Sequence, residues 1–165
     1  NVASATSAVL VDPPTRQARQ EKLLPGDLYT ELISFPPIAD QLAEAKKINY
    51  KTYKYSAALI LRNLVELSAV AYLGETRTTP PQGFGRCIDA LIKDEKERKG
   101  QDSSQAESVY KQLKENQWFN EGIKHNPGLV MTSEKVKEFA DQVTAALHRI
   151  NKNYKEFLDS QDHSE

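Results

Sequence analysis

The chain has 165 residues, 39% hydrophobic and 27% charged, with 22 basic against 23 acidic side chains and a net charge of −1. That length supports one domain with a real core. The charge balance leaves no global basic excess, so nucleic acid could be met only through a local patch.

Residues 1–25 read as an arm or linker. Residues 7–11 have the pattern of a short edge strand, and Pro13-Pro14 with the polar run behind them stops any continuous element. The chain opens without a methionine and without a signal-like stretch, which reads as a piece cut from a longer protein. Pro25-Gly26-Asp27 is a turn, with Asp27 placed to cap a short helix over residues 28–34. Pro36-Pro37 then opens a helix whose apolar stripe is Ile38, Leu42, Ala45 and Ile48.

Residues 53–73 form the most apolar helix, expected to be central and buried, with Gly74 placed to end it. Arg62, Asn63 and Glu66 interrupt it, so no apolar run reaches the roughly 18 residues of a membrane span. Phe84, Cys87, Ile88, Leu91 and Ile92 mark the next helix. Val109, Tyr110 and Leu113 carry a shorter one, ending in the polar segment 118–128. Thr132 or Ser133 caps the last helix, where Val136, Phe139, Ala140, Val143, Leu147, Ile150, Tyr154, Phe157 and Leu158 step by three and four. Residues 159–165 are expected to fray. The fold class is all-α: an antiparallel bundle of four to six helices over residues 26–158.

A single cysteine, Cys87, excludes an intramolecular disulfide and a multi-cysteine zinc site, and suits a reducing cytoplasm. Its apolar spacing places it in the core rather than in a reaction. No metal or other cofactor is expected, because no His, Cys, Asp or Glu pair has ligand spacing with a third partner and no glycine-rich phosphate loop is present. Residues 93–99 alternate lysine or arginine with Asp94, Glu95 and Glu97, the pattern of a solvated helix face.

Two polar interruptions stand out. Arg62 and Glu66 are one turn apart on an apolar helix with Asn63 beside them, which is either a rim ion pair or a polar site. His125 is the one histidine outside a helix face or tail, and histidine is the side chain most often used as a general acid or base. Asn126-Pro127-Gly128 is a turn that would orient it, and Lys124 is placed to meet a phosphate. Tyr50, Tyr53 and Tyr55 flank Lys51 and Lys54, either as a base-stacking surface or as rings packed with their hydroxyls outward.

Leu61-Arg62-Asn63-Leu64-Val65-Glu66-Leu67, followed by a charged helix, Asn120-Glu121-Gly122-Ile123-Lys124-His125-Asn126 and a long amphipathic helix, resembles the HEPN superfamily of small helical bundles. The resemblance covers residues 50–154. It implies a HEPN-like dimerisation domain that also contacts RNA or DNA, part of a larger cytoplasmic prokaryotic protein of the phage-defence or toxin–antitoxin kind. The rest of the parent chain would then be a further partner. Catalytic members are metal-independent endoribonucleases with an arginine a few residues before the histidine. Here that arginine would fall near Asn120, and none occurs between Trp118 and His125. The resemblance therefore implies, as its alternative, a nuclease using His125 with Arg62 and Asn120, and nucleic-acid contacts from Lys124, Asn63 and Asn126. A helical protein-interaction module outside the family is a third reading.

Overall fold

The computed structural model describes residues 21–76, 79, 81–99, 103–116, 122 and 125–164. The strand expected at residues 7–11 lies outside them. Among the described residues the regular elements are all helical. A 3-10 turn, Glu31–Ser34, is followed by α1 (Pro36–Lys47), α2 (Lys54–Thr76), α3 (Phe84–Lys99), α4 (Ser104–Glu115) and α5 (Ser133–Asp162).

Local chemistry explains most of these limits. Two prolines occupy the first positions of α1, where the missing N–H costs nothing, and Lys46 and Lys47 close it at the negative end of its dipole. Thr132 caps α5 by accepting a bond from the Lys135 N–H at 3.2 Å. Three limits differ from expectation. The short helix begins at Glu31, because Thr30 rather than Asp27 caps it, and Asn151 of α5 holds both the Thr30 hydroxyl (3.1 Å) and the Glu31 N–H (2.7 Å). Gly74 does not end α2, which runs on to Thr76, where the threonine hydroxyl bonds the Tyr72 carbonyl at 3.1 Å. The last helix runs to Asp162 rather than fraying from residue 159.

The core starts earlier than the expected arm allowed. Leu23 and Leu24 are buried, and Lys137 of α5 donates to the carbonyls of Lys22 (3.1 Å) and Leu23 (3.2 Å). Residues 21–25 are thus an integral part of the bundle, and each buried leucine contributes about 1.5–3 kcal/mol of transfer free energy.

Side-chain pairings fix the directions of the helices. Arg62 meets Phe84, while Tyr72 meets Asp94 and Arg98, so α2 and α3 run the same way. Glu95 meets Arg149 and Asn153, and Arg98 meets Glu156, so α5 is parallel to them. Asp89 pairs with Lys114 and Lys96 with Glu107, making α4 antiparallel to α3. The expected antiparallel bundle is therefore corrected to a mixed one. Its three central helices are parallel, with α1 and α4 reversed against them.

At the centre, α2 packs on α1, α3 and α5. By length and composition alone it would also cross a membrane. Here Ala57, Leu61, Leu64, Val65, Ala69, Tyr72 and Leu73 are buried in the core of a globular domain.

Candidate functional site

Arg62 points from α2 to the start of α3. It is 5% exposed, its Nη1 lies 3.3 Å from the Glu66 carboxylate, and its guanidinium sits over the Phe84 ring at 5.6 Å from the centroid. Cys87 lies beside this pair and is fully buried, as its spacing implied. Burial pushes the Cys87 thiol up to about 11, with the Glu66 charge adding to the shift and Arg62 opposing it. Such a thiol is inert at neutral pH. The Arg62 guanidinium is thus committed to an ion pair and an aromatic face, which is a structural corner between α2 and α3.

His125 lies elsewhere. The Asn126 N–H donates to the Gly122 carbonyl at 2.9 Å, so His125 sits on a single helical turn, exposed. Asn126 turns its own side chain back, accepting from the Gly128 N–H at 2.9 Å, which closes that turn. The chain beyond is tied to the beginning of α2. The Tyr55 hydroxyl donates to the Leu129 carbonyl at 2.8 Å and accepts from the Met131 N–H at 3.4 Å. Tyr55 stands two turns before Arg62, about 10 Å along the helix. Among the described residues no hydrogen bond or ion pair joins His125 to Arg62. Asn63 is half-buried on α2, while Asn120 and Lys124 lie outside the described residues.

Among the described residues a well-connected polar group lies in the run expected to be a solvated helix face. Residues 93–99 divide by burial: Lys93 and Glu97 are exposed, but Asp94 is nearly buried and Glu95 is 0% exposed. Arg149 clasps the Glu95 carboxylate through Nε (2.7 Å) and Nη2 (2.8 Å), and Asn153 Nδ2 donates to it at 2.5 Å. Tyr72 donates to Asp94 at 2.6 Å and accepts from Arg98 at 2.8 Å, and Arg98 also holds Glu156 at 2.7 Å. Burial raises the Tyr72 and Tyr110 phenols, helped by Asp94 for the first and Glu95 for the second. This network locks α2, α3 and α5 together at one end. Its bonds run between α2, α3 and α5 and so fix the register of these helices.

Position along the helix gave the missed signal. Glu95 continues the stripe of Phe84, Ile88 and Leu91 by one more turn, and Asn153 follows Ala146 and Ile150 in the same way. A charged or amide residue in phase with an apolar stripe must bury a polar group, and its partner is then found on a facing helix.

Several hollows mark the surface of the described residues. A polar cleft of about 500 Å³ lies between Tyr50 and Lys51 on one side and Ser133, Glu134, Lys137 and Asp141 on the other. Its two lysines are already paired, Lys51 with Glu21 at 3.3 Å and Lys137 with Asp141 at 3.7 Å. A smaller polar hollow of about 210 Å³ adjoins it, between Lys22 and the end of α1 at Lys47. The third is an apolar groove of about 320 Å³ between the start of α1 and the later half of α2, lined by Phe35, Ile38, Leu67, Val70, Ala71 and Gly74. Its α2 wall continues upward as Ile60, which like Leu67, Val70 and Ala71 is only partly buried against the core.

No family model, curated protein or solved structure matches the chain.

Proposed function

We propose that this chain is a self-associating helical domain of the HEPN type, in which a second copy covers the half-exposed face of α2. One observation carries the reading. Apart from Arg62, Asn63 and Glu66, the middle of α2 is apolar on nearly every side, as in a helix that belongs inside a protein, yet only 56% of its most apolar stretch is buried. The partly buried remainder includes one side formed by Ile60, Leu67, Val70 and Ala71, with Asn63 among them and the groove at Phe35 at its lower end. A two-fold partner with the same stripe is the simplest complement, because an isologous contact needs one self-complementary patch. The Leu61–Leu67 phrase that resembles the HEPN superfamily lies on the same helix. On this reading the domain brings two copies of a larger prokaryotic chain together.

Light-scattering mass across a concentration series tests this. The expected mass is twice the 18.6 kDa of the chain. A single-chain mass throughout would remove the reading and leave a monomeric interaction module.

The nuclease alternative would need Arg62 to leave both Glu66 and Phe84 before it could meet a phosphate. No observation favours it over self-association.

A further inference from the structure

The bundle leaves open a stripe that runs the length of α2. Tyr53, Ser56, Ile60, Asn63, Leu67, Val70 and Gly74 recur every three and four residues, and each is exposed or half-buried. The residues between them include Ala57, Leu61, Leu64 and Tyr72, which are buried. The Ala57 N–H bonds the Tyr53 carbonyl at 2.9 Å, so Tyr53 stands in phase with the helix it precedes. A regular alternation of three and four is the pattern of a seam between two helices.

The two ends of the stripe differ in shape. At its head is the large side chain of Tyr53, 59% exposed. At its foot Gly74 has no side chain and lies in the apolar groove of about 320 Å³ with Phe35, Ile38 and Val70. The two ends are about 31 Å apart along the helix, so one copy cannot fill its own groove. A second copy turned end for end can, and two-fold symmetry repeats the contact. Charge favours the same direction. Lys54 stands at the head and Glu75 at the foot, and neither has an ion pair among the described residues. Antiparallel copies bring each lysine near the level of the other copy's glutamate, whereas parallel copies set like charges side by side. With Tyr53 opposite Gly74, Ile60 falls opposite Leu67, and the two Asn63 positions meet beside the two-fold axis. Asn63 is half-buried and makes no hydrogen bond among the described residues. A polar residue on an apolar seam fixes register, because a slip leaves its amide without a partner.

We infer that two copies pair through α2 in antiparallel, with Tyr53 of each filling the groove of the other and the two Asn63 amides setting the register. This arrangement rests on the self-association proposed above, and adds its direction, its anchor and its register determinant.

Double electron–electron resonance on Thr52→Cys carrying a nitroxide tests the direction. Thr52 is exposed, and the native Cys87 is buried and stays unlabelled. The antiparallel pair should give one distance of roughly 35 Å between copies, whereas a parallel pair would give less than about 20 Å. Sedimentation should show Tyr53→Ala weakening the dimer by about tenfold or more, and Tyr53→Phe leaving it intact. Asn63→Leu should keep the dimer but replace the single distance by a spread of registers. A short distance, a dimer unaffected by Tyr53→Ala, or a single distance that survives Asn63→Leu would overturn the inference and leave self-association standing. Absence of any distance between copies, with a single-chain mass, would remove both.

Discussion

Replacing Glu95 by glutamine should destabilise the fold far more than the same change at Glu97, two residues away in the same charged run. Glu95 is fully buried and accepts from Arg149 twice and from Asn153 once. Glutamine keeps the shape and one acceptor oxygen but removes the charge opposite a guanidinium whose side chain is only 17% exposed. Breaking one side of a buried pair costs about 3–5 kcal/mol. The remaining acceptor and the partial exposure of Arg149 place the estimate near the lower end, about 3 kcal/mol. For a domain of this size that corresponds to roughly 6–12 °C in melting temperature. Glu97 pairs with Lys93 at 3.8 Å on an exposed surface, so its replacement should change stability by less than about 0.5 kcal/mol. Urea unfolding followed by circular dichroism measures both. The double change Glu95→Leu with Arg149→Met should recover much of the loss, because neither charge is then stranded. A loss below about 1 kcal/mol for Glu95→Gln would refute the assignment of this network as the lock between α3 and α5.

Three further outcomes follow from the same geometry. Tyr72→Phe removes one bond to Asp94 and one from Arg98 and should cost about 1–3 kcal/mol in urea titration; no loss would show that the hydroxyl is not bonded. The Cys87 thiol is held up to about 11 from an ordinary 9.0. Below that window it is protonated in both states. As the pH rises through it the unfolded chain ionises first, so stability should fall, and Cys87→Ala should lessen the fall in the urea midpoint; an unaltered slope would contradict the burial of the thiol. RNA incubated with the purified chain in EDTA should remain intact, as it should with His125→Ala. Cleavage by the wild type that is lost in His125→Ala would instead establish the metal-independent nuclease.

Much of the helical content was legible because apolar residues recur every three or four positions with recognisable caps. Thr132 at the start of α5 and the prolines of α1 are the clear cases. Helix direction was not legible. Short periodic segments suggest reversal at each turn, but the pairing of residue 62 with 84 and 72 with 94 is a long-range fact that no local pattern carries. The site was legible in part. Arg62 and Glu66 do pair as one turn of helix requires, but which side of α2 they occupy depends on Phe84. Tyr50, Tyr53 and Tyr55 looked equivalent in the sequence, and only the fold, which sets Tyr50 beside Glu21 and the start of α5, separates the buried ring from the two exposed ones. Glu95 and Glu97 differ in phase against Leu91, and that difference was available but outweighed by the mixed charge of the run.

Sedimentation velocity of Val70→Glu beside the wild type tests the central claim most directly. Val70 lies on the groove wall and only partly in the core, so the variant should fold and melt as the wild type does. The account predicts a dimeric wild type and a monomeric Val70→Glu at the same concentration. A monomeric wild type, or a Val70→Glu variant that sediments as a dimer, would contradict it.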